Sequence, residues 1–331
     1  MKLRHNPLGH SLVRVSELAF GAAGIGNLFT EVGNAQAEAA VAAAWECGVR
    51  YFDTAPHYGL GLSERRLGEA LRAFPRHEFT VSTKVGRILE PVTPVGDDLA
   101  NGFAVPATHR RRWDFTATGV RRSIEESLDR LGLDRIDIAY LHDPDDHADQ
   151  ALTEAYPELE RLRAEGVLGA IGVGMNQAEL PARFVRETDI DAVLLAGRYS
   201  LLDQRGLDEL LPLAAERGVG VVVGGVFNSG LLADPKPGAT FDYSAAPAEL
   251  LDRALRLKET CERYGVPLRA AALRFPFGHP AVASVLVGTR SAAEARDAAA
   301  MLDHPVPDEL WAELKETGLL PADVPTPVEA E

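Results

Sequence analysis

The feature that most constrains this chain is an alternation. Short apolar, strand-like segments take turns with amphipathic, helix-like ones along nearly all 331 residues. Strands are expected at 17–21, 49–53, 80–84, 136–142, 170–173, 192–196, 220–224 and 282–287. Helical patterns fill 34–47, 63–73, 116–132, 149–165, 177–187, 203–217, 247–264 and 291–302. Gly48, Gly166, Gly218 and Gly265 each follow a last helical turn, where a left-handed residue ends a helix at no steric cost. Strand-helix alternation implies a parallel sheet, and eight such pairs suit a closed (β/α)8 barrel. A doubly wound open sheet is the alternative, weakened because no G-x-G-x-x-G follows a first strand. Segment 3–15, with Pro7 and Gly9 between its halves, reads as a hairpin closing the barrel bottom.

Three stretches exceed ordinary loop length: 86–115, 227–247 and 303–331. The first is rich in Pro, Gly and Asp and carries Arg110-Arg111-Arg112-Trp113 near its end. The first two follow strands, so in a barrel they overhang the C-terminal face. No linker divides the chain, and the expectation is one domain over 1–331.

The net charge of -15, from 34 basic and 49 acidic residues, argues against nucleic acid or an anionic membrane surface as partner. It does not exclude a small anionic cofactor, which helix N-termini and a few cations can hold. Cys47 and Cys261 both fall in helical patterns, so neither a disulfide framework nor a metal site is expected. No apolar run approaches ~18 residues and no signal-peptide core begins the chain, so a cytoplasmic enzyme or binding protein is expected.

The chemistry is marked by the polar residues that end strands. Tyr51 to Gly61 opens as a strand, breaks at Asp53 and Pro56, and carries Tyr58 in the loop before a helix with Ser63 as its expected N-cap. The next strand ends in Lys84, the fourth in His142, and the fifth leads to Asn176. A lysine between Val81 and Val85 is costly to bury unless paired, and Asp53 on the neighbouring strand is its natural partner. Taken alone, His142 is a strand-capping histidine and Tyr58 a packed loop residue. Four titratable groups at adjacent strand ends instead suggest proton transfer by Tyr58, with Lys84 favouring its ionised form and His142 orienting a substrate oxygen.

These residues resemble the aldo-keto reductase superfamily. The resemblance rests on Phe52-Asp53-Thr54-Ala55-x-x-Tyr58-Gly59, Ser82-Thr83-Lys84, Ser127-Leu128-x-Arg130-Leu131, Leu141-His142-Asp143 and Gly288-Thr289-Arg290-Ser291. It implies a barrel that binds a nicotinamide cofactor across its C-terminal face, with Tyr58, Lys84, Asp53 and His142 as the catalytic tetrad. Further segments, including Gly172-Val173-Gly174-Met175-Asn176 and Val226-Phe227-Asn228-Ser229-Gly230, look like bacterial aldose 1-dehydrogenases of the L-fucose or D-threo-aldose type. The reaction implied is oxidation of a sugar hemiacetal at C1 to a lactone. Pyridoxal or general aldehyde chemistry is the alternative, and a non-catalytic nicotinamide-binding subunit is the non-enzyme one.

By the same resemblance, Asn176 contacts the carboxamide, although Ala196 stands where relatives usually carry Gln and Met175-Asn176 where Ser-Asn is usual. Ser229, Gly230 and Leu231 offer backbone N–H groups to the pyrophosphate. Gly288, Thr289, Arg290 and Glu294 surround the adenosine ribose. Glu294 and Gly288 replace the basic residues that grip a 2′-phosphate, which favours NAD. Arg290 keeps NADP open. Substrate contacts are expected from His57, Trp113 and Arg198, with Tyr199 beside it, and the family norm is a monomer or loose homodimer.

Overall fold

The computed structural model describes residues 3–242 and 244–328. Its centre is a closed barrel of parallel strands: β1 Leu18–Gly21, β2 Tyr51–Asp53, β3 Thr80–Val85, β4 Ile138–His142, β5 Ala170–Met175, β6 Ala192–Ala196, β7 Gly220–Gly224 and β8 Val282–Gly288. Each pairs with the next, and β8 closes the ring on β1 with Val285 opposite Leu18 and Gly288 opposite Gly21. The helices are α1 Asn34–Glu46, α2 Leu62–Leu71, α3 Ala117–Leu131, α4 Tyr156–Ala164, α5 Glu179–Glu187, α6 Leu210–Arg217, α7 Ala248–Arg263, α8 Leu268–Arg274, α9 Ala292–Asp303 and α10 Asp308–Glu316. The expected (β/α)8 architecture is the one observed.

Successive side chains of a strand point to opposite faces, so these strands carry two cores. Outward residues such as Leu18, Phe20, Phe52 and Val81 pack with the helices. Inward ones form a separate cluster in which Ala19, Ala170, Ala192 and Ala283 leave room for Tyr51 and Tyr140. The two phenols sit 3.2 Å apart, fully buried, and Tyr51 continues to Ser82 Oγ at 3.0 Å. Small residues around two tyrosines fill the barrel without strain.

The N-terminal hairpin pairs His5–Pro7 with Arg14–Ser16. Leu8, fully buried, enters the interior cluster from below, and Asn6 Nδ2 donates to Ala283 O at 2.8 Å. Gly9 has φ +58, and a Cβ there would lie 2.2 Å from Asp191 O, so glycine lets the hairpin seat against β7.

Segment 86–115 is ordered as two antiparallel ribbons, Arg87–Pro91 with His109–Trp113 and Asp97–Asp98 with Phe103–Pro106. Strands this short, broken by Pro and Gly, leave no period long enough to read. The tail carries α10, whose Leu310, Trp311 and Leu314 are buried, followed by buried Leu319, Leu320 and Val324. Ser63 lies inside α2 rather than capping it. Gly61 takes the cap at φ 78, while Ser63 Oγ donates to Ala22 O at 2.8 Å and meets Thr54 Oγ1 at 2.8 Å. Among the described residues, no helix is long and apolar enough to cross a membrane.

Candidate active site

Register brings the strand ends together. Asp53 lies opposite Ser82, Lys84 opposite Tyr140, and His142 opposite Gly174. Alternation then points Asp53, Ser82, Lys84 and Tyr140 into one space. Lys84 Nζ donates to Asp53 Oδ2 at 2.7 Å and to Thr54 O at 2.9 Å, both side chains being 2% exposed. The other carboxylate oxygen of Asp53 accepts from Ser82 Oγ at 2.6 Å. Both ions therefore have the partners that burial demands.

Tyr58 lies directly above this pair. Lys84 Nζ is 4.7 Å from the Tyr58 ring centroid, and the His142 ring stands perpendicular to it at 6.0 Å. Burial raises the Tyr58 phenol above its ordinary pKa, opposed by the Lys84 charge and reinforced by Asp53. Burial also works against the Lys84 ammonium, but Asp53 and Tyr58 outweigh it and the amine titrates above its usual range. At neutral pH the site is therefore a protonated phenol beside an ammonium.

Both imidazoles are neutral. Burial, then the charges of Arg87 and Lys84, hold His142 well below its usual range. Burial, Arg87 and Arg111 push His57 down to about 2. Arg111 donates through Nε to His57 Nδ1, so the proton of His57 sits on Nε2. Arg111 is itself held by Asp98 at 2.5 and 2.8 Å.

Tyr58, Lys84, His142, His57 and Asn176 line one chamber of about 590 Å³, walled by Phe103, Met175 and Ala196. A groove of about 790 Å³ continues from it past Ala23, Leu28 and Phe29, which line both. Ser229, Gly230, Gly288, Thr289, Arg290 and Glu294 line this groove; Leu231 is fully buried, and the N–H groups of Gly230 and Leu231, expected to face a pyrophosphate, donate instead to Phe227 O at 3.0 Å and Asn228 O at 3.2 Å. Asn228 (φ 46), Ser229 (φ 56) and Gly230 (φ 101) stand in the left-handed region one after another, a strained turn of the kind found at ligand clamps. Neither Gly230 nor Gly288 has an atom within 4 Å of where a Cβ would stand, so both leave open space for a ligand backbone. A nicotinamide dinucleotide fits these residues: an elongated groove, two bare glycines, and the N-terminus of α9 capped by Ser291. Glu294 binds Arg290, accepting from its backbone N at 2.9 Å and its Nε at 3.0 Å.

Two expected substrate residues lie outside the chamber. Trp113 stacks on the Arg87 guanidinium (4.4 Å) and lines an adjoining hollow of about 520 Å³ with His57. Arg198 is paired with Asp242 at 3.0 Å, and Tyr199 is buried against Phe275. Sequence reading passed over Arg87, Asp143 and the Asp98–Arg111 pair. The available signal was the period of two in Arg110-Arg111-Arg112, of which only Arg111 turns inward, its side chain 11% exposed against 71% and 41% for its neighbours.

The fold is a (β/α)8 barrel whose C-terminal strand ends gather titratable side chains in a chamber that opens onto an elongated groove. The family model described as the aldo/keto reductase family matches residues 17–318, and the chain belongs to that family. It is therefore an oxidoreductase, and the cofactor of such enzymes is a nicotinamide dinucleotide. The chain is 50% identical over 313 residues to a D-threo-aldose 1-dehydrogenase of Pseudomonas sp., covering 93% of this chain and 95% of that one. It is 41% identical to a pyridoxal 4-dehydrogenase of Microbacterium luteolum, covering 95% and 97%. Among solved structures it resembles the holo form of an aldo-keto reductase from Bacillus halodurans, with a TM-score of 0.75 at 27% identity, covering 97% of this chain and 98% of that one.

Proposed function

We propose that this enzyme oxidises a free aldose at C1 to the lactone, with Tyr58 as the group that moves the proton. The observation that carries this reading is the 50% identity to a D-threo-aldose 1-dehydrogenase over nearly the full length of both chains. A nicotinamide dinucleotide held in the groove would supply the hydride acceptor for C1. The neutral His142 imidazole orients the C1 oxygen, which an imidazolium in its place would bind as an ion instead. Tyr58, as phenolate, accepts the hydroxyl proton in oxidation and returns it as phenol in reduction. Lys84 stabilises the phenolate, and Asp53 keeps Lys84 charged and fixed in place. Asn176 serves the carboxamide, while Ser229 and the open face of Gly230, which line the groove, border the pyrophosphate.

NAD is the cofactor this reading favours. Glu294 occupies Arg290, and by the family resemblance it stands in place of the basic residue that would grip a 2′-phosphate. Of the proposed substrate contacts, His57 lines the chamber itself, whereas Trp113 acts through Arg87 and Arg198 through the loop carrying Asp242. Pyridoxal is the second reading, favoured by the 41% relative.

The experiment is nicotinamide absorbance with NAD or NADP and a panel of L-fucose, D-arabinose, L-galactose, D-glucose and pyridoxal. Saturable NAD reduction with a sugar is expected. Turnover of pyridoxal alone would replace the substrate, and at least tenfold better kcat/KM with NADP would overturn the reading of Glu294.

A further inference from the structure

The tetrad leaves one charged pair of the chamber without a task. We propose that Arg87 and Asp143 form a hydroxyl-recognition station that selects polyhydroxylated substrates over hydroxyl-free aldehydes, an inference that rests on the aldose reading of this chamber. Both residues line the chamber beside Tyr58, Lys84 and His142. Arg87 opens the ribbon that follows β3, and Asp143 is the first residue beyond β4. Arg87 NH2 donates to Asp143 Oδ2, and that oxygen lies 3.6 Å from His142 Nε2. The pair therefore stands next to the imidazole that faces the reacting oxygen, where the neighbouring hydroxyls of a sugar fall.

Its unused capacity is what recommends it. Among the described residues, Asp143 Oδ1 accepts no hydrogen bond; the Nε of Arg87 is enclosed by protein, so the donors it can present are those of its terminal nitrogens, one of which already meets Asp143 Oδ2. Asp143 is a non-glycine residue at φ 42, held there by its N–H bond to Gly174 O at 3.1 Å. A strained backbone that aims a carboxylate into a ligand chamber is the pattern of a clamp. Trp113 fixes the other partner by stacking on its guanidinium. The two charges cancel, so the station attracts no ion; it offers an acceptor beside donors, which matches a hydroxyl that donates and accepts at once. A substrate without that hydroxyl strands the carboxylate oxygen, and such sites discriminate strongly against the deoxy analogue.

The test compares reduction of glyceraldehyde with reduction of propanal, which has the same carbon chain without hydroxyls. It adds xylitol as an inhibitor of propanal reduction. Asp143→Asn keeps a residue that tolerates a left-handed backbone but exchanges an acceptor for a donor. We expect the glyceraldehyde-to-propanal ratio of kcat/KM to fall about 10- to 100-fold, through KM, and xylitol inhibition to weaken as much. Arg87→Lys, which keeps the charge and loses the fork, is expected to act in the same direction and serves if Asp143→Asn does not fold. A ratio within threefold of wild type would overturn the proposal. So would an equal loss on both substrates with a shifted alkaline limb, because that marks a role in tuning Tyr58. Failure of the aldose reading shows separately, as absent sugar oxidation by the wild type, while the ratio and the xylitol inhibition still report on the pair.

Discussion

Tyr58 is a phenol whose pKa is raised by burial and lowered again by Lys84, with the net effect upward. In the oxidation direction the working form is the phenolate, so kcat should climb with pH and level off only in the alkaline range. In the reduction direction the working form is the phenol, and activity should fall over the same alkaline range. Because His142 and His57 are both held neutral, neither profile should show a step near pH 6.5. Steady-state rates from pH 5 to 10 check this, and a histidine-like inflexion would refute it. Tyr58→Phe should lower kcat by about 100- to 10,000-fold. Cofactor affinity should change little, as followed by quenching of protein fluorescence. Lys84→Met should lower kcat and also leave Asp53 buried without its countercharge, a loss of about 3–5 kcal/mol. Urea denaturation measures that second effect. The convergence of Asp53, Lys84 and His142 was legible in the sequence because each is a polar residue closing an apolar strand, and Tyr58 because it stands in the loop that follows the first of them. Arg87 and Asp143 were not legible as a pair. One stands after Gly86 in a segment without a clear period, and the other reads only as the end of the Leu141-His142-Asp143 motif.

At the scale of elements, the strands were readable to within a residue or two because barrel strands are apolar on both faces and are bounded by helix-ending glycines. Gly48, Gly166, Gly218 and Gly265 all stand at positive φ, as their places after helices required. The ribbons of 86–115 and the helix α10 were missed for different reasons. The ribbons are held by tertiary contacts and not by local period, whereas α10 has a helical period, Leu310, Trp311 and Leu314, but only over about two turns. Phe103 packs on the Tyr58 and His57 rings at 6.0 and 5.2 Å, and Glu313 accepts from Tyr264 at 2.7 Å. The N-terminal hairpin makes a sharper prediction. Leu8 is the plug of the interior cluster, so Leu8→Ala should cost about 2–5 kcal/mol in chemical denaturation. Its distance from the chamber means kcat should be unchanged. A variant equally stable, or one with impaired kcat, would show that the hairpin is not a separate structural cap.

For the whole molecule, the groove and the chamber form one continuous surface, so ligand binding should be felt as global stability. A dinucleotide at a hundred times its Kd adds about 2.7 kcal/mol to the folded state. NAD should raise the melting temperature more than NADP at equal concentration, and Glu294→Gln should narrow the gap; scanning calorimetry with each cofactor reads both. The ribbon of 86–115 carries a different consequence. Arg87 pairs with Trp113, and Asp114 N returns to Gly86 O at 3.0 Å, so the segment leaves the barrel and re-enters it at hydrogen-bonded neighbours. The barrel thus sees a fixed doorway whatever stands beyond it. What lies past that doorway is a wall on its own ribbons, seated on the chamber by Phe103 against Tyr58 and His57 and by Arg111 against His57, so an exchange that keeps those two contacts alters the wall facing the substrate without redrawing a single barrel strand.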